Sequence, residues 1–197
     1  MPAIVRAQDE WRAGQARVGL KKTVALVGMM GAGKSAIGKA LALRLNVPFL
    51  DSDMEIEKAA DRSIAEIFQR DGEAFFRAKE SQVIERLLLN ERCILSTGGG
   101  AFLTPENRRM IASNGIAVWL KADTAILWSR VKHKGTRPLL QTENPYQTLV
   151  DLAQAREPAY AEAGLIVEAE MDMSIDEMTS KVIRALRAHG GILEDDQ

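Results

Sequence analysis

The chain is predicted to fold as an α/β domain in which a parallel sheet is covered by helices on both faces. Three observations carry that prediction. Short apolar runs alternate with stretches of helical periodicity along the chain. The first apolar run ends in a glycine-rich segment that leads directly into a helical pattern. With 197 residues and 46% hydrophobic content, the chain is long enough to bury one real core.

Thr23-Val24-Ala25-Leu26-Val27 is the first strand candidate, and Ile37, Leu41 and Leu45 behind the glycines have the spacing of a helix face. Further strand candidates are 48–50, 93–96, 116–120 and 165–167. Strands alternating with helices imply right-handed crossovers and parallel pairing. Helix starts are predicted from Ser63 with Glu66 and Ser174 with Glu177, which fit the capping box, and from Thr104-Pro105, an N-cap followed by proline in the first turn. Two regions interrupt the alternation. Residues 54–90 are helical with no intervening strand and read as a substrate-binding insertion; residues 132–145 are polar, rich in turn formers, and read as a lid. The expected organisation is an N-terminal extension over 1–20, a single domain over 21–189 and an acidic tail over 190–197.

Lys+Arg at 26 against Asp+Glu at 27 gives a formal net charge of -1, so no global basic field argues for nucleic acid or an anionic membrane. Any anion site must be local. The single cysteine, Cys93, lies in an apolar run and suits a buried strand thiol in a reducing compartment. The first twenty residues lack the continuous apolar core of a secretion signal, and no stretch approaches the roughly 20 apolar residues of a membrane span. A cytoplasmic location is expected.

Gly28-Met29-Met30-Gly31-Ala32-Gly33-Lys34-Ser35 matches the Walker A pattern, in the strand-to-helix context that the pattern requires. Such a loop turns successive N–H groups inward onto phosphate oxygens, and the helix N-terminus adds partial positive charge. Nucleotide contacts are therefore assigned to Gly31, Ala32, Gly33, Lys34, Ser35 and Ala36. Lys34 is expected to bridge the β- and γ-phosphates of ATP and Ser35 to ligate Mg²⁺.

A phosphate loop alone does not define the acceptor. Asp51-Ser52-Asp53 follows the second strand candidate, at the carboxyl end where open α/β sheets place ligands. Two carboxylates there can divide the work, Asp51 toward the metal and Asp53 toward the proton of an attacking hydroxyl; an Asp-Ser-Asp is also a common helix cap. Ser96-Thr97-Gly98-Gly99-Gly100 stands where many phosphate-loop proteins carry a metal-binding aspartate, and that aspartate is absent. The glycines leave room for a ligand against the main chain. Arg77 and Arg156 each sit in a helical pattern, where an arginine is usually solvated, yet a guanidinium is the side chain best matched to a carboxylate.

In this order, Gly28 to Ser35, Asp51-Ser52-Asp53, Phe76-Arg77 with Glu80, Gly98-Gly99-Gly100, Arg137-Pro138-Leu139-Leu140 and Arg156-Glu157-Pro158-Ala159-Tyr160 resemble the shikimate kinases, over nearly everything from about Lys22 to Leu186. The resemblance implies a nucleoside-monophosphate-kinase-like fold with a five-stranded parallel sheet, and transfer of phosphate from ATP to shikimate, giving ADP and shikimate 3-phosphate on the route to chorismate and the aromatic amino acids. It implies that Asp53 contacts the shikimate hydroxyls as the base, that Arg77 and Arg156 hold the carboxylate, that Gly98 to Gly100 line the acceptor pocket, and that Arg137 is a lid arginine at the phosphates. Arg130 stands near the position of an arginine that family members place against adenine. The loop 171–175 lacks the proline that some members stack on the base.

Two other functions share these features. A gluconate or nucleotide kinase would have the same core, but the first need not carry both Arg77 and Arg156, and the second needs a base pocket for its acceptor. A silent relative that only binds a partner would have lost Lys34, Asp53 or a substrate arginine, and all are present. Every proposed group comes from one chain, so a monomer is expected.

Overall fold

The computed structural model describes residues 19–133 and 138–194. Its centre is a five-stranded sheet in the order β2-β3-β1-β4-β5, with every neighbouring pair parallel. The strands are β1 (Thr23–Val27), β2 (Phe49–Asp51), β3 (Ile94–Ser96), β4 (Gly115–Lys121) and β5 (Leu165–Glu168). All five strand candidates are present, with no edge moved by more than one residue. All five β1 residues are buried, which requires cover on both faces of the sheet.

The helices are α1 (Lys34–Leu45), α2 (Ser52–Ala60), α3 (Ile64–Asn90), α4 (Pro105–Asn114), α5 (Thr124–Val131), α6 (Pro145–Tyr160) and α7 (Ile175–His189). Ile37, Leu41 and Leu45 form the buried face of α1, as their spacing requires. Both capping boxes form, at Ser63 with Glu66 and at Ser174 with Glu177. Thr104 makes no side-chain cap bond, so the start of α4 rests on Pro105 at its first turn.

Helices α2 and α3 occupy the stretch expected as an insertion. They enclose their own apolar cluster, in which Ile56, Ile67 and Phe76 meet Val83, Leu87, Cys93 and Leu95 beneath the β2–β3 edge. Helix α3 is not continuous. Gly72 has φ 81° and ψ 174°, a backbone region open almost only to glycine, and it divides the run into two helices. The second follows Gly72 and carries Arg77, and Phe68 and Phe76 face one another across the break with ring centroids 4.7 Å apart.

The two ends of the described chain meet. Leu20 pairs antiparallel with Leu193, Lys21 N–H donates to Ile192 O at 2.8 Å, and Glu194 N–H donates to Gly19 O at 2.9 Å. Within the stretch expected as an acidic tail, Gly190 and Gly191 are exposed but Ile192 and Leu193 return to the core, at 3% and 9% exposed. Two large apolar side chains in succession outweigh the acidic run behind them. Most of the extension over 1–20 and the last three residues lie outside the described residues.

Candidate active site

Parallel strands end together, and the carboxyl ends of β1, β2 and β3 carry the three polar loops singled out in the sequence. They open on a cavity of about 690 Å³, lined by Gly31, Gly33, Lys34, Ser35, Ala36, Asp51, Asp53, Gly98, Gly99 and Arg130 among others. Ala32 lies beneath the loop, fully buried. The loop after β1 takes left-handed φ at Gly28, Gly31 and Gly33, so that α1 starts with its N-terminus at the cavity. Lys34 Nζ donates to Gly28 O at 2.7 Å and Met29 O at 3.2 Å, and its charge reaches Asp53.

Asp51 does both of the things its position allows. It lines the cavity, and its Oδ1 accepts the Asp53 N–H at 3.1 Å as the N-cap of α2. Burial, reinforced by the neighbouring Asp51 charge, pushes the Asp53 carboxyl above its ordinary value, against the opposing pull of Lys34 and Arg77. A carboxyl held up in this way is a better proton acceptor once ionised.

Within the turn after β3, every carbonyl over 98–103 accepts a hydrogen bond. Gly98 O accepts from Ala101 N–H, Gly100 O from Leu103 N–H, Ala101 O from Asn107 Nδ2, and Phe102 O and Leu103 O from Arg108 Nη1. Gly99 O accepts from Tyr160 Oη at 2.8 Å and Arg156 Nη1 at 3.2 Å. The Gly98 N–H is donated to buried Ser52 Oγ at 3.0 Å. Close approach explains two of the glycines: a Cβ on Gly98 would stand 2.6 Å from Asp53 Oδ1, and one on Gly100 would stand 2.7 Å from Arg77 Nη1.

Arg77 is thus brought against Gly100 and Arg156 against Gly99, so two guanidiniums from α3 and α6 flank one turn. Arg77 is paired with Glu80 at 2.9 Å, a residue only 1% exposed. Burial pushes the Glu80 carboxyl up, while the Arg77 hydrogen bond works against that. The three-residue spacing of Arg77 and Glu80 on a helix was the readable sign of this pair.

At the other end of the cavity, Ala169, Met173, Ser174, Ile175 and Met178 form its wall with Met30 and Arg130. The loop 171–175 therefore does contribute to the site without a proline. Arg130 Nη1 donates to Gly31 O at 3.3 Å and to Ala32 O at 3.5 Å, tying α5 to the phosphate loop. Arg137 lies outside the described residues.

The phosphate loop, Asp53, Gly98 and Gly99 thus line one concavity, while Arg77, Gly100 and Arg156 are not part of its lining and meet it only through the glycine turn. A family model described as shikimate kinase matches residues 30–187 of the chain. The chain belongs to the shikimate kinase family. A shikimate kinase of Cereibacter sphaeroides is 60% identical over 178 residues, covering 90% of this chain and 89% of the relative. One of Ruegeria pomeroyi is 61% identical over 175 residues, covering 89% of this chain and 90% of the relative. Among solved structures, shikimate kinase from Acinetobacter baumannii in complex with shikimate superposes with a TM-score of 0.78 at 36% identity, covering 86% of this chain and 95% of that one. The fold is therefore the P-loop, nucleoside-monophosphate-kinase-like fold of the shikimate kinases.

Proposed function

We propose that the protein transfers the γ-phosphoryl group of ATP to a hydroxyl of shikimate, giving ADP and shikimate 3-phosphate. The observation that carries this reading is the glycine turn at the cavity, where Asp53 stands beside Gly98 while Arg77 reaches Gly100 from α3 and Arg156 reaches Gly99 from α6. A neutral polyol needs no such pair of cations; a hydroxylated carboxylic acid uses both.

Phosphoryl transfer asks little covalent chemistry of the protein, so its work is alignment and charge neutralisation. The N–H groups of Gly31, Gly33, Lys34, Ser35 and Ala36 and the Lys34 ammonium hold the phosphates. Arg77 and Arg156 hold the shikimate carboxylate and thereby point the acceptor hydroxyl at the γ-phosphorus. The hydroxyl oxygen bonds to that phosphorus, the bond to the β-phosphate bridging oxygen breaks, ADP departs, and Asp53 takes the hydroxyl proton. Arg137 is proposed to reach the phosphates from the lid and Arg130 to lie along the nucleotide base.

The oxygen donors present fit Mg²⁺. Ser35 and Asp51 line the same cavity, and among the described residues there is no cluster of three or more His, Cys, Asp or Glu that would hold a metal without the nucleotide. When bound, the ion neutralises charge on the β- and γ-phosphates. No described helix is long and apolar enough to cross a membrane, and a cytoplasmic monomer with one complete site per chain is proposed.

A coupled assay of ADP release tests the reading. Shikimate is expected to support rapid turnover that EDTA abolishes, with quinate, gluconate and nucleoside monophosphates far slower. Equal turnover with gluconate would remove the substrate assignment.

A further inference from the structure

Tyr160 contributes nothing to the cavity wall, yet it holds the acceptor turn. Its side chain is 1% exposed, and its ring stacks on Trp119 of β4 with centroids 5.9 Å apart and planes inclined by 30°. From this fixed position its hydroxyl donates to Gly99 O at 2.8 Å. Burial pushes the phenol above its ordinary value, so it stays a donor across the neutral range. Arg156 lies four residues earlier on α6, hence on the same helix face, and its Nη1 donates to the same carbonyl at 3.2 Å.

Resting on the proposed function, we infer that Tyr160 is a positioning residue for shikimate: its hydroxyl registers the Gly99–Gly100 peptide against α6, and so sets the distance between the acceptor turn and the Arg156 guanidinium. Three features support this. The carbonyls on either side of Gly99 are satisfied locally, by Ala101 and Leu103 N–H, whereas Gly99 O depends on α6. The peptide after Gly99 is trans, so fixing its carbonyl also fixes the opposite direction of the Gly100 N–H. Gly100 is the residue against which Arg77 packs. One hydroxyl therefore ties together the turn and both carboxylate-binding arginines. Arg156 gives one N–H donor to the same carbonyl at 3.2 Å and keeps the others for substrate, while the shorter bond from a buried, stacked ring supplies the rigidity.

Tyr160→Phe removes the hydroxyl and keeps the ring on Trp119. The expected result is a shikimate KM raised about three- to tenfold, the range for one net hydrogen bond, with the ATP KM unchanged. A hydroxyl that only stabilised the fold would not separate the two substrates. Arg156→Lys and the double variant complete the test. If both side chains act through Gly99, their effects on the shikimate KM combine to less than the product of the single effects. An unchanged shikimate KM in Tyr160→Phe, equal rises in both KM values, or fully multiplicative effects would each overturn the inference. Failure of the underlying functional reading is separately visible, as wild-type protein that does not turn over shikimate at all.

Discussion

Asp53→Asn is expected to lower shikimate turnover by about a hundredfold or more, the range for loss of a positioned base, while the variant melts no lower than the wild type. The two halves of this prediction have one cause. Burial and the Asp51 charge raise the Asp53 carboxyl, so it ionises at higher pH in the folded protein than in the unfolded chain. Between those two pH values the folded state holds more protons, so stability falls as pH rises, and at neutral pH the ionised group costs stability. An amide removes that cost together with the base. The same shift places the acid limb of the wild-type kcat/KM profile above the ordinary aspartate value. Steady-state kinetics with thermal denaturation of the same samples check both halves. Near-normal turnover would take Asp53 out of the mechanism, and a large fall in melting temperature would show that the carboxylate is structural.

Lys34→Ala is expected to cost about a hundredfold to a thousandfold in kcat, the range for removing a donor aimed at charge that changes during transfer. Its ATP KM should also rise, because an ammonium on the phosphates acts in the ground state as well. In the protein Lys34 Nζ rests on Gly28 O and Met29 O at the mouth of the loop, so truncation leaves the β1–α1 backbone itself untouched. Circular dichroism should therefore match the wild type while activity is lost. A kcat within threefold of wild type would show that the loop binds nucleotide without using this lysine.

The sheet was readable because its signals are local. Thr23 to Val27, the glycines behind it and the α1 face each lie within a few residues of one another, and the structure keeps β1 and α1 at those positions. Asp51 was readable as either a cap or a cavity residue, and it is both. What escaped the sequence depends on partners far along the chain. Nothing near Ser52 announces that it takes the Gly98 N–H, 46 positions on, and nothing near Tyr160 announces Gly99, 61 positions back. Gly72 sits in an unbroken helical pattern, and only its φ and ψ reveal the division of α3. Ile192 and Leu193 were outvoted by the acidic residues after them, because burial follows from where Leu20 lies rather than from local composition. Cys93 behaves as its apolar run suggested. It is buried just ahead of β3, and burial pushes its thiol up to about 11, leaving little thiolate at neutral pH.

The phosphate loop, Asp53 and the arginines at the glycine turn are proposed to act on one reaction, the transfer of phosphate to shikimate rather than to water. Phosphorus NMR of a mixture of the protein, ATP, Mg²⁺ and shikimate measures this directly. One new phosphomonoester resonance is expected, split by coupling to a single ring proton and growing in step with ADP. Growth of inorganic phosphate in place of that resonance, or ADP formation that does not depend on shikimate, would contradict it.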